Sequence, residues 1–535
     1  MAKIFYPDFF NDIFGPIMQP GSSSSFAGVS RIARVARHTL ISEPAGVEIL
    51  FNPGEKRMRS LGNLMEDRGL LGGIQDFLPD DERLFSAHEL ARKAGISYSF
   101  GELHEDNEYP GSITFRLTGR AGEESELVGA SIGGGMIRTY RINGFPIEWP
   151  GDTYALLVWN LKAEGKNRLQ SFLEGSTAQE ALAETKNVRN EKGQEALFLE
   201  FSEAETAEAA GRILEGHSEY RLLPAILPVV TTKDRKPQLF KNVEEWRGAA
   251  AERNISFVEA AIEYEKRFSG WDEKKIWDYF EQIFDILDRQ IHSLETIGYE
   301  NAKDTPNLPI YGRAYDRYLS DGKGLEDPIT QRIIRSAMAV NAKVPGVKIV
   351  PGPMGTGGGY LFSAIDAVYK AKNIPHERVI ESLIVAAGLG AVAYTNCQAS
   401  GNSGCVGESG VCCAMGSGAV TYLGGGDGVQ VEHAASMALQ ASLGIPCDPI
   451  TGGKEFPCIT RTIRAAVTAP LYADLALAGI DPLIPYHEVL FAIEENRKRS
   501  TRALLHDGIN LAPCAQDCQK CFQAEQMKGK LRYTA

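Results

Sequence analysis

The stretch SGNSGCVGESGVCCAMGSG, residues 400–418, sets thiols and a carboxylate on a glycine-rich turn. Two more cysteines follow within IPCDPITGGKEFPC. Cys405 lies between glycines just ahead of a helix-like run. Cys447 follows Pro446 after a helical pattern has ended, and Cys458 follows Pro457 where the next pattern starts. Backbone amides are unpaired at such places, and amides and the positive end of a helix both stabilise a thiolate. Three thiolates can hold three irons of a cubane cluster and leave the fourth open as a Lewis acid. The spacing is equally compatible with buried free cysteine, which packs as a small apolar group.

Other groups near these thiols have two readings each. Glu408, three residues after Cys405, suits an acid or base, or a capping-box glutamate that bonds a free amide. Cys412 and Cys413 follow Cys405 by about two helical turns and, with Cys397, read as core. His433 is the histidine best placed to approach the thiols, although a surface or satisfied core role also fits it. Cys514, Cys518 and Cys521 have C-x3-C-x2-C spacing, which elsewhere holds a cluster for radical chemistry. Such motifs precede a barrel, and only fourteen residues follow Cys521, so the trio reads as a possible tail ligand set or second metal site.

Composition narrows the classes. The chain of 535 residues is 43% hydrophobic and 23% charged, which predicts an ordinary globular protein of roughly two to four domains. A net charge of −13 without a long basic run argues against nucleic acid or an anionic membrane as the main partner. No window approaches the roughly 18 unbroken apolar residues of a membrane span. The opening MAKIFYPDFFNDIFG lacks the basic-then-apolar pattern of a secretory leader, so a cytoplasmic location is expected. None of the nine cysteines precedes residue 397, unlike the spread pairing of a secreted disulfide scaffold.

Three regions must position these groups. Residues 1–147 mix strand and helix signals and predict an α+β domain. MQPGSSSSFAGVSRIARVARH opens a helix behind Ser22, Ser23, Ser24 and Ser25, and SELVGASIGGGMIRTYRING alternates like strands around a turn or bulge at Gly133–Gly135. Residues 152–230 alternate strand and helix and suit a small ferredoxin-like α/β sandwich, although not every strand is evident. PVVTTKDRKPQLFKN reads as a linker. Residues 240–535 show apolar residues recurring at three and four and predict an all-helical domain, with its cysteines on helix ends and turns.

GNSGCVGESGVCCAMGSGA, LGIPCDP and FPCITRT resemble the three cysteine motifs of the iron–sulfur L-serine dehydratase (L-serine ammonia-lyase) family, in the same order. DIFGPIMQPGSSSSFAGVSRIARVAR is similar to that family's serine-rich loop and helix, and SIGGG to the end of its β domain. SAMAVNAKVPGVKIVPGPMGTGGG is similar to its glycine-rich loop. The resemblance covers nearly the whole chain as fused β-like, ACT-like and α-like domains. It implies a [4Fe–4S] cluster on Cys405, Cys447 and Cys458, and β-elimination from a small amino or hydroxy acid without pyridoxal phosphate. Ser22–Ser25, Ser131, Gly133, Gly355 and Thr356 are expected as substrate or anion contacts, and Glu408 and Arg461, the latter matching the family, as catalytic residues. The resemblance also implies a homodimer, and a tail cysteine able to enter the active site.

The sequence departs from that family at its imidazoles. Ser25 and Phe26 stand where the serine loop ends in histidine and threonine. Leu64 and Tyr109 stand in two further histidine places, although Asp67 is kept. Met354 replaces a threonine, and Thr460 and Thr462 replace a glutamate and an asparagine around the matching Arg461. Fewer imidazoles around a polar substrate change its proton carriers and donors, which points to a different hydroxy or thiol acid or a bulkier compound. A desulfidase and a non-catalytic iron–sulfur or thiol sensor remain as alternatives.

Overall fold

The alternation of apolar residues in the first 230 positions becomes two sheets, and the three-four periodicity after 240 becomes helices. A computed structural model describes residues 7–53, 58, 61–62, 65–298, 310–352, 357–399, 403–446 and 458–500. The fold is an N-terminal α/β region followed by an all-helical one. By contacts the chain divides into residues 24–236 and a second unit made of residues 1–23 with 237–535. The division at 236/237 falls within the linker-like segment.

In the α/β unit, helix α1 (Val29–His38) precedes β1 (Pro44–Phe51), α2 (Glu66–Ile74), α3 (Ala87–Lys93) and strands β2 (Ser97–Glu102), β3 (Ile113–Gly119), β4 (Glu124–Gly133), β5 (Met136–Ile142) and β6 (Phe145–Trp149). The sheet order is β2-β1-β3-β4-β5-β6, with β1–β2 parallel and the other pairs antiparallel. Side chains alternate as the pleat requires: Ile113, Phe115 and Leu117 are buried, while Arg116 and Thr118 face water. Then come β7 (Tyr154–Trp159), α4 (Ala163–Leu173), α5 (Ser176–Ala181), β8 (Leu182–Arg189), β9 (Glu195–Phe201), α6 (Ala204–Ile213) and β10 (Glu219–Leu223). Their antiparallel sheet has the order β10-β7-β9-β8, the ferredoxin-like arrangement.

The two sheets share a core. Ala155, Leu157 and Trp159 of β7 join a cluster with Val29, Ile49, Phe115 and Trp149. Leu156 and Val158, on the other face, pack with Leu199, Phe201 and Ala207. β7 is therefore buried on both faces, which is why YALLVW is apolar throughout. The domain limits expected at 147 and 152 fall inside this one unit.

In the helical unit a π-helical turn, Phe9–Ile13, is capped by the Asp8 carboxylate, which accepts from the amides of Phe10 and Asn11. Its helices are α7 (Val243–Arg253), α8 (Phe257–Ser269), α9 (Glu273–Ile291), α10 (Ser293–Ile297), α11 (Gly312–Ser320), α12 (Pro328–Ala342), α13 (Gly357–Lys372), α14 (His376–Asn396), α15 (Ser409–Leu423), α16 (Gly428–Gln440), α17 (Cys458–Leu477) and α18 (Tyr486–Arg499). Phe9 stacks on Tyr264 of α8 at 5.5 Å, its amide donates to Glu265 Oε2 at 2.8 Å, and Phe10 stacks on Trp271. Met18 and Ile349 exchange backbone hydrogen bonds. α14 is long and apolar enough to cross a membrane, yet 78% of its apolar window is buried inside the protein.

Candidate functional site

The Cys405 segment is a single 3-10 turn, Cys405–Gly407, between the end of α14 and the start of α15. It is entered through Gly404 at φ +85°, a left-handed conformation that a side chain would strain. Cys405 is buried, and its Sγ lies 3.1 Å from Ser409 Oγ, one turn on. Burial pushes its thiol pKa up, with help from the Glu408 charge, while Ser409 and Arg461 pull it down. Glu408 is half-buried at the N-cap position of α15 and makes no side-chain cap bond, so it is not a capping-box residue for that helix.

Two hydrogen bonds draw the other cysteine segments to this turn. The Val406 amide donates to the Ile445 carbonyl at 3.2 Å. Arg461 Nη1 donates to the Pro446 carbonyl at 2.7 Å. Ile445 and Pro446 lead directly into Cys447, which lies outside the described residues. Arg461 stands three positions after Cys458, the half-buried first residue of α17. The Cys405 turn, the chain before Cys447 and the first turn of α17 thus meet. A third bond, from Arg464 Nη2 to Ser442 Oγ at 3.1 Å, joins α17 to the chain just past the end of α16.

Among the described residues, the other thiols, Cys397, Cys412 and Cys413, are buried. Cys412 Sγ donates to the Gly357 carbonyl at 3.3 Å, and Cys413 Sγ lies 3.4 Å from Thr468 Oγ1. Burial pushes the Cys397 thiol up to about 12. His433 faces Asp481, at 3.9 Å, and is not directed to Cys405 by any bond among the described residues. Cys514, Cys518, Cys521, Gly355, Thr356, Met354 and Leu64 lie outside the described residues. Thr462 turns its hydroxyl back to the Cys458 carbonyl at 2.9 Å. Tyr394, in the last turn of α14, was not signalled by any motif. Burial, with Asp12, Cys397 and Glu408 around it, holds its phenol well above the ordinary value. Ser409 was legible in principle, since i and i+4 share a helix face.

The α/β unit collects a second group of polar residues at one end of its first sheet. The register pairs Ile113 with both Phe51 and Gly129, and Ser131 with Ile137. Asn52, the loop before Ile113 and the β4–β5 turn therefore share that end. Gly133, Gly134 and Gly135 all have positive φ, and buried Arg31 of α1 donates to the Gly135 carbonyl at 2.7 Å. Ser131 Oγ is buried and makes no hydrogen bond among the described residues. A π-helical turn over Ser23–Gly28 leads into α1, with Ser24 and Ser25 half-buried and Phe26 buried. Ser22 and Ser23 belong to the segment counted with the helical unit.

The aromatic replacements are built in. Tyr109 stacks on Tyr140 at 4.3 Å and 5°. Asn52 Nδ2 donates to the Tyr109 carbonyl at 3.2 Å, and the Tyr109 amide donates to Asn107 Oδ1 at 2.8 Å. Asp67 carries an imidazole that the sequence reading missed. His88 Nε2 lies 2.7 Å from Asp67 Oδ2, and its Nδ1 lies 2.9 Å from Tyr98 Oη.

A family profile described as serine dehydratase alpha chain matches residues 226–506. The chain belongs to the serine dehydratase family. It is 28% identical over 265 residues to the L-serine dehydratase alpha chain of Peptoniphilus asaccharolyticus, covering 48% of this chain and 88% of that one. It is 36% identical over 168 residues to the beta chain from the same organism, covering 31% of this chain and 74% of that one. L-serine dehydratase TdcG of Escherichia coli strain K12 is 35% identical over 199 residues, 36% of this chain and 44% of that protein. One chain of this serine dehydratase family member thus resembles both the alpha and the beta chains that other species make separately.

Proposed function

We propose that the protein is an iron–sulfur lyase that eliminates the β-substituent of L-serine or a closely related small hydroxy or amino acid. The observation that carries this reading is the meeting of the three cysteine segments, through Val406 to Ile445 and Arg461 to Pro446. The residues fit a [4Fe–4S] cluster on Cys405, Cys447 and Cys458. Cys405 is buried beside a hydroxyl, Cys458 is the first residue of α17, at the positive end of its dipole, and the Arg461 charge favours a Cys405 thiolate. When bound, such a cluster supplies a Lewis acid for the leaving hydroxyl.

The chain's own groups supply the rest. Glu408, adjoining the turn, is positioned to hold or move a proton near Cys405. Arg461 orients the chain before Cys447. Within the α/β unit, Ser131, whose buried hydroxyl makes no hydrogen bond among the described residues, and the Gly133–Gly135 turn suit a small anionic group. Tyr109 on Tyr140 offers a planar apolar surface where the resemblance places an imidazole, which favours a substrate bulkier or less polar than serine. Removal of sulfur from a thiol acid is the second reading, supported by the same loss of imidazoles.

The test is iron and labile sulfide in protein purified without oxygen, for wild type and Cys447→Ala, followed by a β-elimination screen. About four of each per chain, lost in the variant, is expected. About eight would assign a second cluster to Cys514, Cys518 and Cys521. Little iron after anaerobic reconstitution would overturn the lyase and leave a thiol sensor. Pyruvate from L-serine, or sulfide from a thiol substrate, separates the first two readings.

A further inference from the structure

Away from the cysteines, the C-terminal end of α9 meets α12 and α13 at a charged cluster that the candidate site does not use. Asp366 of α13 is 1% exposed. Its Oδ2 accepts from Arg332 Nε at 3.1 Å. Its Oδ1 is also buried, makes no hydrogen bond of normal geometry among the described residues, and lies 2.8 Å from the Lys370 ammonium. His292 follows α9, with Nδ1 2.8 Å from the Asp288 carbonyl. A carbonyl only accepts, so Nδ1, which Asp288 Oδ1 also faces at 3.3 Å, carries a proton, and Nε2 is the nitrogen turned to Lys370 and Asp366. Nε2 meets Lys370 Nζ at 3.2 Å and Asp366 Oδ2 at 3.8 Å.

One donor atom from each of Asp288, His292 and Asp366 lies within 4.8 Å of the others. A histidine whose far nitrogen is fixed by a carbonyl has the outer-shell partner that metal-ligating imidazoles carry. His292 also lines a cavity of about 610 Å³, together with Arg332 and Arg335 among others. We propose that Asp288, His292 and Asp366 form a site for one divalent transition cation, in competition with Lys370. One imidazole and two carboxylates suit Mn²⁺ or Zn²⁺, and the donor set contains no thiol. The Lys370 ammonium holds the cation position in the metal-free protein, on a side chain exposed enough to swing out. Arg332 keeps Oδ2 and so holds the carboxylate with Oδ1 turned to the metal. A bound ion would tie the end of α9 to α13.

Mn²⁺ is the probe, because hard carboxylate donors suit it and the cysteines do not. Its uptake is counted from the spin-resonance signal of the free ion, using the full-length, cluster-loaded protein. Wild type is expected to bind one Mn²⁺ more than His292→Gln, with nitrogen coupling on the bound ion that the variant lacks. Lys370→Met is expected to bind that ion at least about tenfold more tightly. Equal uptake by wild type and His292→Gln, or no uptake by wild type, overturns the site even where Lys370→Met binds. Unchanged affinity in Lys370→Met overturns the competition.

Discussion

In the helical unit the groups assigned to chemistry are thiols on tight backbone: one on a 3-10 turn entered through a positive-φ glycine, another opening a helix. In the α/β unit they are hydroxyls and phenols at one sheet end, on loops pinned by asparagines and by Arg31. The first arrangement suits a fixed inorganic centre, whose ligands must not move. The second suits an organic molecule, whose shape the side chains can select. Under the proposed function, reactivity rests on the helical unit and selectivity on the α/β unit.

The sharpest break between the units comes from Cys405→Ala. Iron should be lost, and turnover should fall on the order of a thousandfold, because a lost Lewis acid removes several kcal/mol of charge stabilisation. Next is Gly404→Val, which puts a β-branched side chain at φ +85° and should destabilise the protein by about 1–3 kcal/mol in a denaturant titration, with poorer iron retention. Tyr109→Ala should leave iron content unchanged and cost about 0.5–1.5 kcal/mol, while changing kcat/KM ratios across a substrate panel. Loss of iron in Tyr109→Ala would erase the division of labour.

The smallest expected effect is on pH dependence. Burial raises the pKa of Glu432 above its ordinary value, and Arg247 only partly offsets this. A raised carboxylate pKa favours folding below the unfolded value, and that advantage is lost as pH rises through the folded one. Glu432→Gln should therefore remove a fall in stability with rising pH, seen as melting temperatures that converge with wild type only in acid.

How much of this was legible depended on distance along the chain. β7 announces itself because both its faces are buried, whereas β8, with AETKNVR on a half-exposed edge, offers no apolar alternation to detect. Glycine and proline punctuation placed Cys405 and Cys458 at turn and helix start. It was silent on His88 meeting Asp67, which depends on how α3 packs against α2. Phe9, Phe10 and Phe14 read as part of the first domain because they are next to it in sequence. Their partners lie far downstream, Tyr264 and Phe280 in helices and Trp271 in the turn between them.

That interruption has a consequence on the ribosome. The Phe9 amide and the Glu265 carboxylate it donates to are 256 positions apart. At about 5–20 residues per second, three phenylalanines emerge roughly 10–50 seconds before the helices that enclose them. Throughout that interval the nascent chain carries an uncovered aromatic segment ahead of an α/β unit able to fold first. A chaperone that captures nascent apolar segments has its natural target in those opening residues.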